Sequence, residues 1–169
     1  MNEDVSRNSI RRGLIFILLA AFSWSLLSLW LASDGHRPSG PSLFDEQYKS
    51  QAILIVPILL FCWIVFTGLL WRFLAKDAKL SECFGPLGQT LGSGYLLCWI
   101  LPDVLIYGLF GFQTLGSVAP FLPILTTLYV VFFAARFVSR KGGAGLFKVT
   151  SIVIAAWIAQ AIPVLVFVR

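Results

Sequence analysis

Five nearly uncharged apolar runs restrict the fold of this 169-residue chain more than any other feature of its sequence. They fall at 13–32, 51–72, 90–111, 117–138 and 147–168. A hydrocarbon core about 30 Å thick is crossed by a helix of about 20 apolar residues, and each run meets that length. Composition agrees: 58% of residues are hydrophobic and 12% charged, half the charged fraction of about one quarter that soluble domains carry. Too few polar residues remain for a separate soluble catalytic domain. The fold class expected is all-α, a polytopic transmembrane helical bundle forming one domain over 13–168, preceded by a cytoplasmic N-terminal segment, 1–12.

The first run, GLIFILLAAFSWSLLSLWLA, follows Arg11 and Arg12 as a signal peptide would. It is longer than the apolar region of about 7–15 residues in a cleaved signal, so it reads as a retained anchor. Breaks rich in Pro and Gly, DGHRPSGPS, CFGPLGQ and KGGAG, mark where the chain leaves the membrane. Placing the N-terminus inside puts Arg7, Arg11, Arg12, Arg72, Lys76, Lys79, Arg136, Arg140, Lys141 and Lys148 on the cytoplasmic side, and leaves Arg37, Lys49 and Arg169 outside. Cytoplasmic loops carry the excess of Lys and Arg, so the expected topology is N-in and C-out. The net charge of +5 follows from this sidedness and from attraction to anionic lipid headgroups. The scattered juxtamembrane cations give no basis for nucleic-acid binding. Arg140 and Lys141, beside a Gly-rich turn, are candidates for contact with a lipid headgroup.

The parts needed for common chemistries are missing. One histidine, His36, cannot supply a His-rich metal site, and neither a phosphate loop nor a dinucleotide fingerprint occurs. Three cysteines, Cys62, Cys83 and Cys98, have no C-x-x-C spacing and imply no disulfide framework. No cofactor and no enzymatic activity are expected. Trp30 and Trp71 lie near span ends, as an aromatic belt requires. Trp24, Trp63, Trp99 and Trp157 lie deeper, where they pack helices together or line a lipid groove.

Asp103 stands out, an acidic residue inside the third run and preceded by Pro102. A charge at that depth costs about 2.5–3.5 kcal/mol on insertion scales, so Asp103 needs a partner or a proton. At a rise of about 1.5 Å per residue, Gln160 in the fifth run reaches the depth of Asp103, with Ser25, Ser28, Thr126 and Thr127 nearby. Pro102 and Pro163 each remove a backbone donor around this layer. The layer is either an interhelical hydrogen-bond network or a ligand or proton site in the mid-membrane, of the kind that carriers with kinked helices use. Gly88 and Gly92 form a G-x-x-x-G at the start of the third run, with Gly94 close behind, a spacing that lets helix backbones approach. Between the second and third runs, RFLAKDAKLSECFGPLG is expected to lie partly in the headgroup plane.

Five spans, a short N-terminal segment, and an aromatic-Gly-Pro element leading into a Gly-rich helix with a mid-span proline resemble the Yip1-domain membrane proteins. Glu82-Cys83-Phe84-Gly85-Pro86-Leu87 is similar to the acidic-x-aromatic-Gly-Pro element of that family, although here it follows the second span. The resemblance implies a non-enzymatic protein that organises membranes or membrane traffic by binding protein partners or lipids. The compact size matches the bacterial branch and implies the inner membrane. The alternative is a small proton-linked carrier or lipid-translocating protein built on Asp103. A homo-oligomer or a membrane-protein partner fits either reading.

Overall fold

The computed structural model of the chain describes residues 3–36, 48–74, 79–142 and 145–167, and every element among them is helical. In order these are α1 (Glu3–Ser33), α2 (Tyr48–Leu74), α3 (Leu80–Tyr95), a π-helical turn (Leu96–Ile100), α4 (Leu101–Val118), a 3-10 turn (Ala119–Phe121), α5 (Leu122–Gly142) and α6 (Leu146–Phe167). Four helical runs among the described residues are long and apolar enough to cross a membrane: Arg7–Ser33, Ile53–Phe73, Leu80–Lys141 and Leu146–Pro163. The third is far longer than one crossing needs, and side-chain contacts show it doubled back on itself. Glu82 pairs with Lys141 near one end, and Ser93 meets Tyr129 further along.

The reversal is set at Gly111, whose φ of 80° and ψ of 178° interrupt α4. That conformation is essentially open to glycine alone, because a Cβ would collide with the backbone. Beyond it, Leu115 returns to pack with Leu27, Leu31 and Tyr107. The third apolar run was expected to end at residue 111, and the helical path breaks there. The fourth, expected from 117, begins as α5 at Leu122 after the 3-10 turn.

Contact pairs fix the directions of the helices. Gly13 faces Gly85, Trp24 packs on Trp99 and Trp30 on Tyr107, so α1 runs parallel to α3 and α4. Cys62 meets Gln160 while Phe66 meets Trp157, so α2 and α6 are antiparallel. The result is a bundle in which α1, the α3–α4 path and α6 point one way and α2 and α5 the other. Its core contains Ile17, Ala20, Leu59, Phe66, Leu91, Val130 and Val153, all at 1% exposure or less. Large apolar side chains such as Leu26, Phe61, Leu109, Phe132 and Ile158 point outward, an arrangement suited to a hydrocarbon solvent.

Residues 3–12 belong to α1, which starts at Glu3, and Ile10 packs on the core. One expectation changes. Residues 80–88, expected in the headgroup plane, form the first turns of α3 with Cys83, Gly85, Leu87 and Gly88 buried. Small residues cause this: a Cβ on Gly88 would come within 2.8 Å of the Trp63 ring and 2.9 Å of Gly13 Cα, so α1 and α2 close onto α3 there. The break after His36, residues 75–78, Gly143, Ala144 and Arg169 lie outside the described residues.

Candidate functional site

Tyr95, at the end of α3, is the point where five helices meet. Its ring lies 5.7 Å from that of Trp24 on α1, 6.1 Å from Trp99 and 5.9 Å from Trp157 on α6. Its hydroxyl donates to Gln160 Oε1 at 3.5 Å. The backbone carbonyl of Gln160 accepts the Cys62 thiol from α2 at 3.0 Å, and Trp157 Nε1 donates to Thr127 Oγ1 on α5 at 2.7 Å. Polar groups thus tie α2, α3, α5 and α6 together at one level, and the rings of Trp24 and Tyr95 add α1. Gln160 Nε2 is buried without a hydrogen-bond partner, an arrangement that costs about 1–3 kcal/mol.

The expected polar layer is therefore distributed. Gln160 docks at the level of Tyr95 and Cys62, whereas Asp103 follows eight residues after Tyr95, about 12 Å further along the helix. Asp103 is buried at 8% exposure, and Pro102 before it is half-buried. Thr126 Oγ1 donates to Leu122 O and Thr127 Oγ1 to Pro123 O, so both hydroxyl protons stay on their own helix. Ser25 likewise donates to Ala21 O. Gly92 abuts the Phe16 backbone of α1, and Gly94 abuts Val130 and Tyr129 of α5. Arg140 and Lys141 are exposed, with Lys141 Nζ 3.7 Å from Glu82 Oε2.

Pro102 has a visible consequence. Proline lacks an N–H, and its ring crowds the carbonyl four residues back, here that of Cys98. The preceding turn is π-helical, with the Leu101 N–H bonded to Leu96 O, five residues back. Such bulges recur at functional sites. This one turns Trp99 into the core and sets Leu96, Ile100 and Leu101 along a groove beside α1. The groove encloses about 490 Å³ and is lined also by Ser23, Leu26, Leu27, Trp30 and Val104. A second cavity of about 240 Å³ lies between Tyr95, Trp99, Pro123, Thr127 and Trp157.

At the far end of the groove the C-terminus of α1 meets α4. The Tyr107 hydroxyl donates to the Asp34 carboxylate. Trp30 stands edge-on to Tyr107 at 4.7 Å, and His36 stacks on Phe112 at 4.3 Å. Sequence reasoning missed this cluster and the role of Tyr95. A faint signal existed in the aromatic spacing of α4, but nothing in it named Asp34 as partner. Among the described residues no group of His, Cys, Asp and Glu is placed to hold a metal ion. No family model, curated protein or solved structure matches this chain.

Proposed function

We propose that the chain is a five-span membrane protein, N-in and C-out, that works by binding lipids and membrane-embedded partners and carries out no chemistry of its own. The observation that carries this reading is the distribution of charge over the bundle. Arg7, Arg11, Arg12, Arg72, Lys79, Arg136, Arg140, Lys141 and Lys148 are exposed, and all lie at the end where α1, α3 and α6 begin and α2 and α5 finish. These are all the Lys and Arg whose side chains are described, and such an excess marks the cytoplasmic side. The doubled path from Leu80 to Lys141 supports counting it as two crossings, which makes five. The apolar groove beside α1 supports lipid as ligand, since a hydrocarbon chain matches its lining. A role in membrane organisation rests on the resemblance of the layout to the Yip1-domain proteins, and the bacterial inner membrane is the location that this resemblance implies.

Reporter fusions test the topology: alkaline phosphatase joined at the C-terminus is expected to be active, and a fluorescent protein joined there to stay dark. The converse pattern would overturn the orientation. The burial of Asp103 directly after the π turn favours a second reading, a proton-linked carrier. Flux into reconstituted vesicles that depends on pH and is lost in Asp103→Asn would establish it. Retained lipid or partner with no such flux supports the binding reading.

A further inference from the structure

We infer that the groove between α1 and α4 seats one acyl chain of an amine-headed phospholipid, and that Asp34 takes the ammonium group of its headgroup. The inference deepens the membrane reading above and rests on it. The groove wall is hydrocarbon over its whole length, with Ser23 as its one polar residue. The π turn ahead of Pro102 supplies Leu96 and Ile100 to its wall, and α4 supplies Leu101 and Val104. Trp30 closes one end, and tryptophan at such a position marks the boundary between hydrocarbon and headgroup.

Asp34 lies one helical turn beyond Trp30, and its N–H bonds to Trp30 O at 3.1 Å. A headgroup attached to a chain in the groove would therefore arrive at Asp34. The carboxylate is exposed and is held in place by Tyr107, whose ring is set between Trp30 and His36. A carboxylate offers about four acceptor positions and the phenol takes one, leaving room for an ammonium with three donors. Charge decides which lipid fits. No Lys or Arg side chain among the described residues lies at this end, where Asp34 is exposed. An anionic headgroup would meet like charge here, whereas the opposite end of the bundle presents the cations.

The test uses the full-length chain. Retention in membranes through alkaline carbonate washing is measured first, and release would defeat the membrane reading itself. Native mass spectra are then recorded in mild detergent with equal amounts of phosphatidylethanolamine and phosphatidylglycerol of identical chains. The expected result is an adduct ratio of about fivefold in favour of the amine lipid, the order that one solvent-exposed ion pair supplies. Asp34→Asn keeps an acceptor for Tyr107 and is expected to bring the ratio to parity. Tyr107→Phe keeps the charge but removes the hydroxyl that holds it, and is expected to lower the ratio without bringing it to parity. Leu26→Trp, at an exposed position on the groove wall, is expected to remove the adduct of either lipid. Parity in the wild type, a preference unchanged by Asp34→Asn, its loss in Tyr107→Phe, or full adducts in Leu26→Trp would each overturn the assignment in a chain still embedded in the membrane.

Discussion

The hydroxyl of Tyr95 on α3 meets the Gln160 side chain on α6 at 3.5 Å, with both residues at 1% exposure. Removing the hydroxyl leaves Gln160 Oε1 without its donor, next to an Nε2 that already has no partner. Tyr95→Phe is expected to cost about 1–3 kcal/mol, and Tyr95→Ala, which also empties the space between three tryptophans, about 3–5 kcal/mol. Thermal unfolding of the purified protein, followed by tryptophan fluorescence, measures both. Equal losses for the two variants would show that the ring contributes nothing beyond the hydrogen bond.

Gly92 touches the backbone of Phe16, where an added Cβ would lie 2.5 Å from the carbonyl carbon. Backbone on both sides leaves no flexible side chain to move aside, so Gly92→Ala must push α1 from α3. A loss of about 1–3 kcal/mol is expected, as for other overpacked sites. Gly68→Ala, where nothing lies within 4 Å, serves as the comparison and is expected to be neutral or slightly stabilising. Melting temperatures of the pair decide, and similar values would refute the close contact.

Gly111 has open space around it but a backbone that other residues rarely adopt. Gly111→Ala is therefore expected to destabilise by about 1–3 kcal/mol through backbone strain alone. Gly116→Ala, also in open space and without positive φ, is expected to have little effect. Chemical or thermal unfolding of both variants separates strain from steric crowding.

Lys141 and Glu82 join α5 to α3, yet the lysine side chain is 46% exposed and the separation is 3.7 Å. Exposed pairs of this kind contribute about 0–1 kcal/mol. Glu82→Gln is expected to shift the melting temperature less than Gly92→Ala does. A larger shift would show that this pair, and not the glycine contact, holds this end of the bundle.

Much of this architecture was legible in the apolar runs. Helices α2, α5 and α6 begin and end within about five residues of the boundaries expected from span length. Trp24, Trp63, Trp99 and Trp157, read as deep, are buried, while Trp30 and Trp71, read as belt residues, are each 40% exposed. The candidate site was less legible. Depth arithmetic placed Gln160 with Asp103, but depth is one coordinate, and the partner of a side chain depends also on the rotation of its helix. The π turn before Pro102 adds to that rotation, so a count at 3.6 residues per turn misassigns the faces beyond it. Residues 80–88 were read as interfacial from their mixed composition, whereas their glycines were needed for contact with α1 and α2.

The sequence by itself determined that this chain is helical, where its apolar runs lie, and that its positive charge gathers toward one end of the helices. Those properties are sums along the chain, set by transfer free energy and helix rise. The tertiary structure decided that Tyr95 receives Gln160, that Gly111 turns the chain back, and that Asp34 meets Tyr107 beyond a groove. Those pairings depend on how surfaces from different helices fit at close range, and residues distant in sequence meet only once the bundle has packed.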